Sequence, residues 1–72
     1  MSENVIYSIN GPVVKVKDST DFSMMEKVFV GHQRLMGEVI SISREATVIQ
    51  VYESTTGLKP GEPVEPTGSP IS

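Results

Sequence analysis

Short runs of alternating apolar and polar residues, each cut off by a turn signal after fewer than ten positions, restrict this chain to a small all-β fold. Val5, Tyr7 and Ile9 fall on one face of the first run, with Asn4, Ile6 and Ser8 on the other; Ile6 is its one exception to a period of two. Asn10-Gly11-Pro12 ends it with a tight turn. VVKVK over 13–17 repeats the pattern with Lys15 and Lys17 toward solvent, and DSTD over 18–21 reads as a polar loop. MMEKVFV over 24–30 is helix-compatible in its first half, but Val28 and Val30 favour a strand. After a turn at Gly31-His32-Gln33, a long strand is expected over Leu35 to Ser43, where Gly37 suggests a bulge or tight bend. Arg44-Glu45 is a short polar turn, and Ala46 to Glu53 is the strongest strand pattern of all.

Strands at such spacing indicate a sandwich or a barrel. Seventy-two residues are too few for a two-sheet sandwich of about 100. A small closed five- or six-stranded antiparallel β-barrel fits, because closure also removes exposed strand edges. Tyr7 and Tyr52 lie in strong strand patterns and are expected in its core. Of Met24 and Met25, one is expected in the core and the other facing solvent or a neighbour, where methionine makes an adaptable contact.

The last third carries the most specific local signals. Leu58-Lys59-Pro60-Gly61 places Pro before Gly, as a type II turn requires. Pro presets φ and Gly accepts a positive one. Gly57 and Gly68 bracket this turn at irregular positions, and a short strand is expected at Pro63 to Glu65. The barrel is accordingly assigned to residues 1–66, and residues 67–72, poor in apolar groups, to a C-terminal linker segment expected to fray or to act as a linker.

Several chemistries are disfavoured by what the sequence contains. The longest apolar runs, such as Val28-Phe29-Val30, have three residues, against about 20 for a membrane-spanning helix. The net charge of −3 and the scattered Lys15, Lys17, Lys27, Arg34, Arg44 and Lys59 argue against a nucleic-acid groove. No glycine is followed by lysine, so the Gly-Lys-Ser/Thr phosphate cradle of P-loop nucleotide enzymes is absent. His32 is the sole histidine and there is no cysteine; Asp18, Asp21 and Glu26 lack ligand spacing for a zinc site. A Ser-His-Asp relay finds no support either, and Ser41 and Ser43 read as ordinary strand residues. Glu53 and Glu62 flank the turn and could approach one another as an acid–base pair, but read as solvated loop carboxylates. No catalytic, cofactor-binding or metal-binding residue is therefore assigned.

In their order and spacing, these segments resemble the N-terminal β-barrel of the catalytic A subunit of V/A-type rotary ATPases. Ser8-Ile9-Asn10-Gly11-Pro12-Val13-Val14 is similar to the opening "V-GPVV" of that family. Val30-Gly31 followed by Leu35-Met36-Gly37-Glu38-Val39-Ile40 is similar to its "VG---L-GEII", and Ala46 to Glu53 to its "AVIQVYE". Thr56-Gly57-Leu58, Pro60 to Val64 and Thr67-Gly68 complete "T-GL-PGEPV--TG". The Gly-Glu-Pro-Val run resembles A subunits rather than B or F-type subunits.

The resemblance implies a structural assembly module in a cytoplasmic, peripheral part of a membrane complex that transports ions or makes ATP. Its partners would be the neighbouring B-subunit barrels in an alternating hexameric crown. No nucleic acid, direct membrane contact or catalysis is implied for this segment, and the isolated chain is expected to be mostly monomeric. ATP and Mg would belong to a nucleotide-binding domain that the family has beyond the barrel and that this chain lacks. The chain thus looks like a domain excised from a longer subunit, with a natural short homologue as the other possibility. The competing reading is a stand-alone OB-like barrel that binds nucleic acid or protein.

Overall fold

In a computed structural model, residues 4–17 and 22–70 are described; the expected loop over 18–21 lies outside them. Six strands form one antiparallel sheet: β1 (Ile6–Asn10), β2 (Val13–Lys17), β3 (Glu26–Val30), β4 (Leu35–Ile42), β5 (Ala46–Val51) and β6 (Val64–Pro70). Their order is β1-β2-β5-β4-β3-β6. The sheet curls until its two ends meet. Val5 bridges Pro63, the Ile6 amide donates to the Glu62 carbonyl (2.9 Å) and the Val64 amide to the Asn4 carbonyl (2.8 Å). The expected small antiparallel β-barrel is therefore borne out as a curled six-stranded sheet whose two ends are joined by a short seam.

Alternation along the strands fills the interior. Val14 and Val16 of β2, Val28 and Val30 of β3, Val39 of β4 and Ile49 and Val51 of β5 are buried, while Lys15, Lys17 and Gln50 are exposed. Among the described residues, every buried apolar side chain apart from Phe22 and Leu35 is β-branched. Such short, stiff side chains suit a pleated wall around a narrow interior.

The first half of β1 faces opposite to the sequence expectation, while Ile9 lies on the expected side. Ile6 fills the core, whereas Tyr7 is 56% exposed. A shift of register between Ile6 and Ser8 is the cause. An extra residue in one strand exchanges the inward and outward sets beyond it, and Ile9 then packs partly on the core. Tyr52 is likewise outside, 49% exposed, because Val51 takes the inward position before it. The register shift in β4 falls between Val39 and Ser41, not at Gly37. Gly37 serves close approach instead: a Cβ there would lie 2.9 Å from Ile49 Cγ2 and 3.1 Å from the Gln50 carbonyl.

Met24 and Met25 form a bend rather than a helical turn. Met25 has φ of +64°, and both methionines are exposed, so neither is the core residue expected. Glu26 closes the bend from within. It is 1% exposed, accepts the Ser23 amide at 2.7 Å and donates its own amide to the Ser23 carbonyl at 3.1 Å. The last strand is longer than the expected Pro63 to Glu65. Its pairing with β3 continues to Glu26 opposite Pro70, so residues 67–70 of the expected linker, Gly68 included, belong to β6. Among the described residues no helix is long and apolar enough to cross a membrane.

Candidate functional site

The most organised non-strand segment is the connection between β5 and β6, residues 52–63. Pro60-Gly61 stands at the centre of a turn whose Glu62 amide donates to the Lys59 carbonyl (3.3 Å). Gly61 has φ of +95°, the positive value that position i+2 of a type II turn demands. The turn therefore spans Lys59 to Glu62, one residue later than the Leu58–Gly61 window, with the expected pair at its centre. From it the Gly61 amide donates to the Ile6 carbonyl at 2.8 Å, which fastens the connection to β1.

Glu62 is the hub of this clasp. One carboxylate oxygen accepts the His32 amide at 2.9 Å and the other the Lys59 amide at 3.0 Å. The β3–β4 loop is thereby held to the β5–β6 connection, beside a further bond from the Gly31 amide to the Pro63 carbonyl at 2.7 Å. Gly31 is buried at this crossing with φ of +78°. Two other contacts fix the connection: the Thr55 hydroxyl donates to the Gly11 carbonyl (3.0 Å), and Glu53 accepts the Met36 amide (3.0 Å). Glu53 and Glu62 thus serve separate backbone partners. They are loop staples, not an acid–base pair, and more than the solvated carboxylates expected.

The His32 amide holds the Glu62 carboxyl below the usual carboxylate range; partial desolvation opposes this, and the Lys59 amide adds to it. A carboxylate that accepts backbone amides prefers its charged form. The folded state therefore binds this proton less readily than the unfolded chain. Its contribution to stability is present above the ordinary carboxylate pKa and is lost as pH falls through the depressed, folded value. Glu62→Gln should melt lower than the native chain at neutral pH, and the gap should close on acidification. Melting curves recorded from neutral to acid pH check this; a gap that stays constant would remove the role of charge.

The outer wall carries cations laid over aromatic rings. Lys17 lies 4.6 Å from the Tyr7 ring centroid, Lys27 4.4 Å from that of Tyr52, and Arg34 4.5 Å from that of Phe29. The Tyr52 hydroxyl donates to Glu38, and Arg34 pairs with Glu65. An open hollow is lined by Tyr7, Lys15, Lys17, Glu45 and Ala46. The rings of Tyr7 and Tyr52, both expected in the core, lie on the outer wall; only for Tyr52 does the parity of Ile49 and Val51 carry a local signal for this. The long-range half of the Glu62 staple had no local signal, since His32 lies 30 positions away.

The remaining candidates do not converge. His32 is exposed in its loop. The Ser43 hydroxyl donates to the Ala46 carbonyl (3.0 Å), closing the β4–β5 turn, and Ser41 is exposed. Asp18 and Asp21 lie outside the described residues. Among the described residues no three His, Cys, Asp or Glu gather in a group that could hold a metal ion. The geometry is that of a fastened barrel whose largely polar exterior carries two exposed tyrosines.

Known proteins are similar to this sequence. Residues 6–68 match the family described as "ATP synthase alpha/beta family, beta-barrel domain". The chain is 56% identical, over its whole length, to 12% of the A subunit of the A-type ATP synthase of Pyrobaculum arsenaticum. It is 52% identical over 93% of its length to 11% of the V-type ATP synthase alpha chain of Halothermothrix orenii. It is 51% identical over 93% of its length to 11% of the catalytic A subunit of the V-type proton ATPase of Neurospora crassa. The chain thus spans about one-eighth of the length of the curated relatives it matches. A six-stranded barrel, matched from β1 into β6 and shared at about half identity with V- and A-type A subunits, belongs to the ATP synthase alpha/beta family as its β-barrel domain.

Proposed function

We propose that this chain is the assembly barrel of a V/A-type ATPase catalytic A subunit, and that it takes no part in the chemistry. The observation that carries this reading is the pairing of two facts. The chain matches A subunits over 93–100% of its length, and it contains no Gly-Lys-Ser/Thr cradle. This supports placing the phosphate-binding cradle of those subunits outside the residues aligned here. A sheet closed on itself and fastened by loops resists deformation. It can keep side-by-side contacts with neighbouring B-subunit barrels while domains attached to it open and close. ATP-driven ion transport or ATP synthesis belongs to the complex, and ATP and Mg to the part of the subunit beyond the barrel.

A single barrel, cut from its tether, also loses the effective concentration that a ring of linked domains supplies. The isolated chain should sediment as a monomer at low micromolar concentration and give no heat with Mg-ATP, whereas the full-length subunit should bind Mg-ATP. A micromolar nucleotide site on the isolated chain would overturn the division of labour. A stable hexamer of the chain alone would overturn the need for B-subunit partners.

A further inference from the structure

We infer that Met24, Met25 and Ile40 form the seat on which the polypeptide following β6 packs in the full-length subunit. Met24 is 52% exposed, Met25 57% and Ile40 43%. They lie together, because the Met25 amide donates to the Val39 carbonyl at 2.9 Å, which sets the methionine bend against the peptide leading into Ile40. Ile42, also exposed, is two positions further along β4.

The bend is built, not loose. A positive φ is uncommon for methionine, yet Met25 is held at +64° by the reciprocal Ser23–Glu26 bonds and the burial of Glu26. Both methionines are thereby turned outward. The exposed rings of Tyr7 and Tyr52 each lie beneath a lysine, whereas these thioethers and Ile40 are left as bare apolar surface. Methionine is suited to such a place because its flexible, polarisable chain moulds to a facing surface.

The exit of the chain identifies the occupant. Pro70 pairs with Glu26, so β6 leaves the barrel next to Met25. In the relatives the matched region is N-terminal and makes up 11–12% of the length. Most of their polypeptide therefore emerges beside this patch, and a segment tethered there meets it at high effective concentration. This inference rests on the assembly reading only in taking the chain as part of a longer A subunit. It assigns the patch to the subunit itself and not to a neighbour in the ring.

The test uses methionine-methyl NMR with a soluble nitroxide, on the 72-residue chain and on the full-length subunit carrying it, without B subunits. In the short chain the Met24 and Met25 methyl signals should be strongly broadened. In the full-length subunit the broadening should fall several-fold, while the half-buried Met36 serves as an internal reference. Met25→Lys should leave the melting temperature of the short chain unchanged and speed proteolysis just after β6 in the full-length subunit several-fold. Equal broadening in both proteins would overturn the inference. So would protection that appears only when B subunits are added, although that result would leave the assembly role standing. Loss of the assembly role with protection intact in the single subunit would do the reverse.

Discussion

Gly31→Val should be the most damaging single substitution outside the core, lowering stability by about 2–6 kcal/mol. Two independent effects combine there. The backbone has φ of +78°, a region β-branched residues avoid, and strain of this kind costs about 1–3 kcal/mol. The space is also occupied: a Cβ would collide with Leu58 Cδ1 and lie 2.8 Å from the Glu62 carboxylate. Overpacking adds about 1–3 kcal/mol and displaces the group that holds the His32 amide. A domain of this size is stable by only about 4–11 kcal/mol, so much of the variant should be unfolded or molten. Chemical denaturation followed by circular dichroism measures the change. A loss below about 1 kcal/mol would mean that the crossing of the two loops is not as tight as described.

Gly61→Val should cost less, about 1–3 kcal/mol, because only one of those effects applies. Its φ of +95° is still unfavourable for valine, but a Cβ at this position meets nothing within 4 Å. The two sites also differ in how they respond to asparagine, which tolerates positive φ better than other side chains. Gly61→Asn should recover a good part of the lost stability. Gly31→Asn should recover little, since the collision remains. Equal melting temperatures for the native chain and Gly61→Val would contradict the type II turn, and equal rescue at both sites would contradict the crowding at Gly31.

How far the sequence reading reached follows from the range over which each feature is determined. Strand positions and turns are set by neighbours a few residues apart, so β2, β5 and the turns at Gly11, Gly31 and Pro60-Gly61 were recoverable from patterning. The face of the first half of β1 was not. It depends on a bulge, and a one-residue slip exchanges every side chain between core and solvent. Ile6 and Tyr7 are adjacent and both suit a strand, so nothing local decides which points inward. The length of β6 was hidden for a similar reason. Pro66, Gly68 and Pro70 resemble a linker, yet a strand beside the seam can accept prolines that a central strand would reject. The burial of Glu26 and the His32 partner of Glu62 are set by the fold and not by neighbouring residues, so neither was legible in the sequence. The family could still be identified, because the order and spacing of Gly, Pro and Val segments preserve a backbone plan even where the side-chain faces are misjudged.

The central claim, that this barrel holds subunits together without contributing to nucleotide chemistry, is tested most directly by removing it. Full-length A subunits lacking residues 4–70 would be mixed with B subunits, and the mass of the assembly followed by native mass spectrometry or sedimentation. The expected result is loss of the alternating hexamer on dilution while Mg-ATP binding by the shortened A subunit persists. A hexamer that forms and dissociates as the intact one does would contradict the claim.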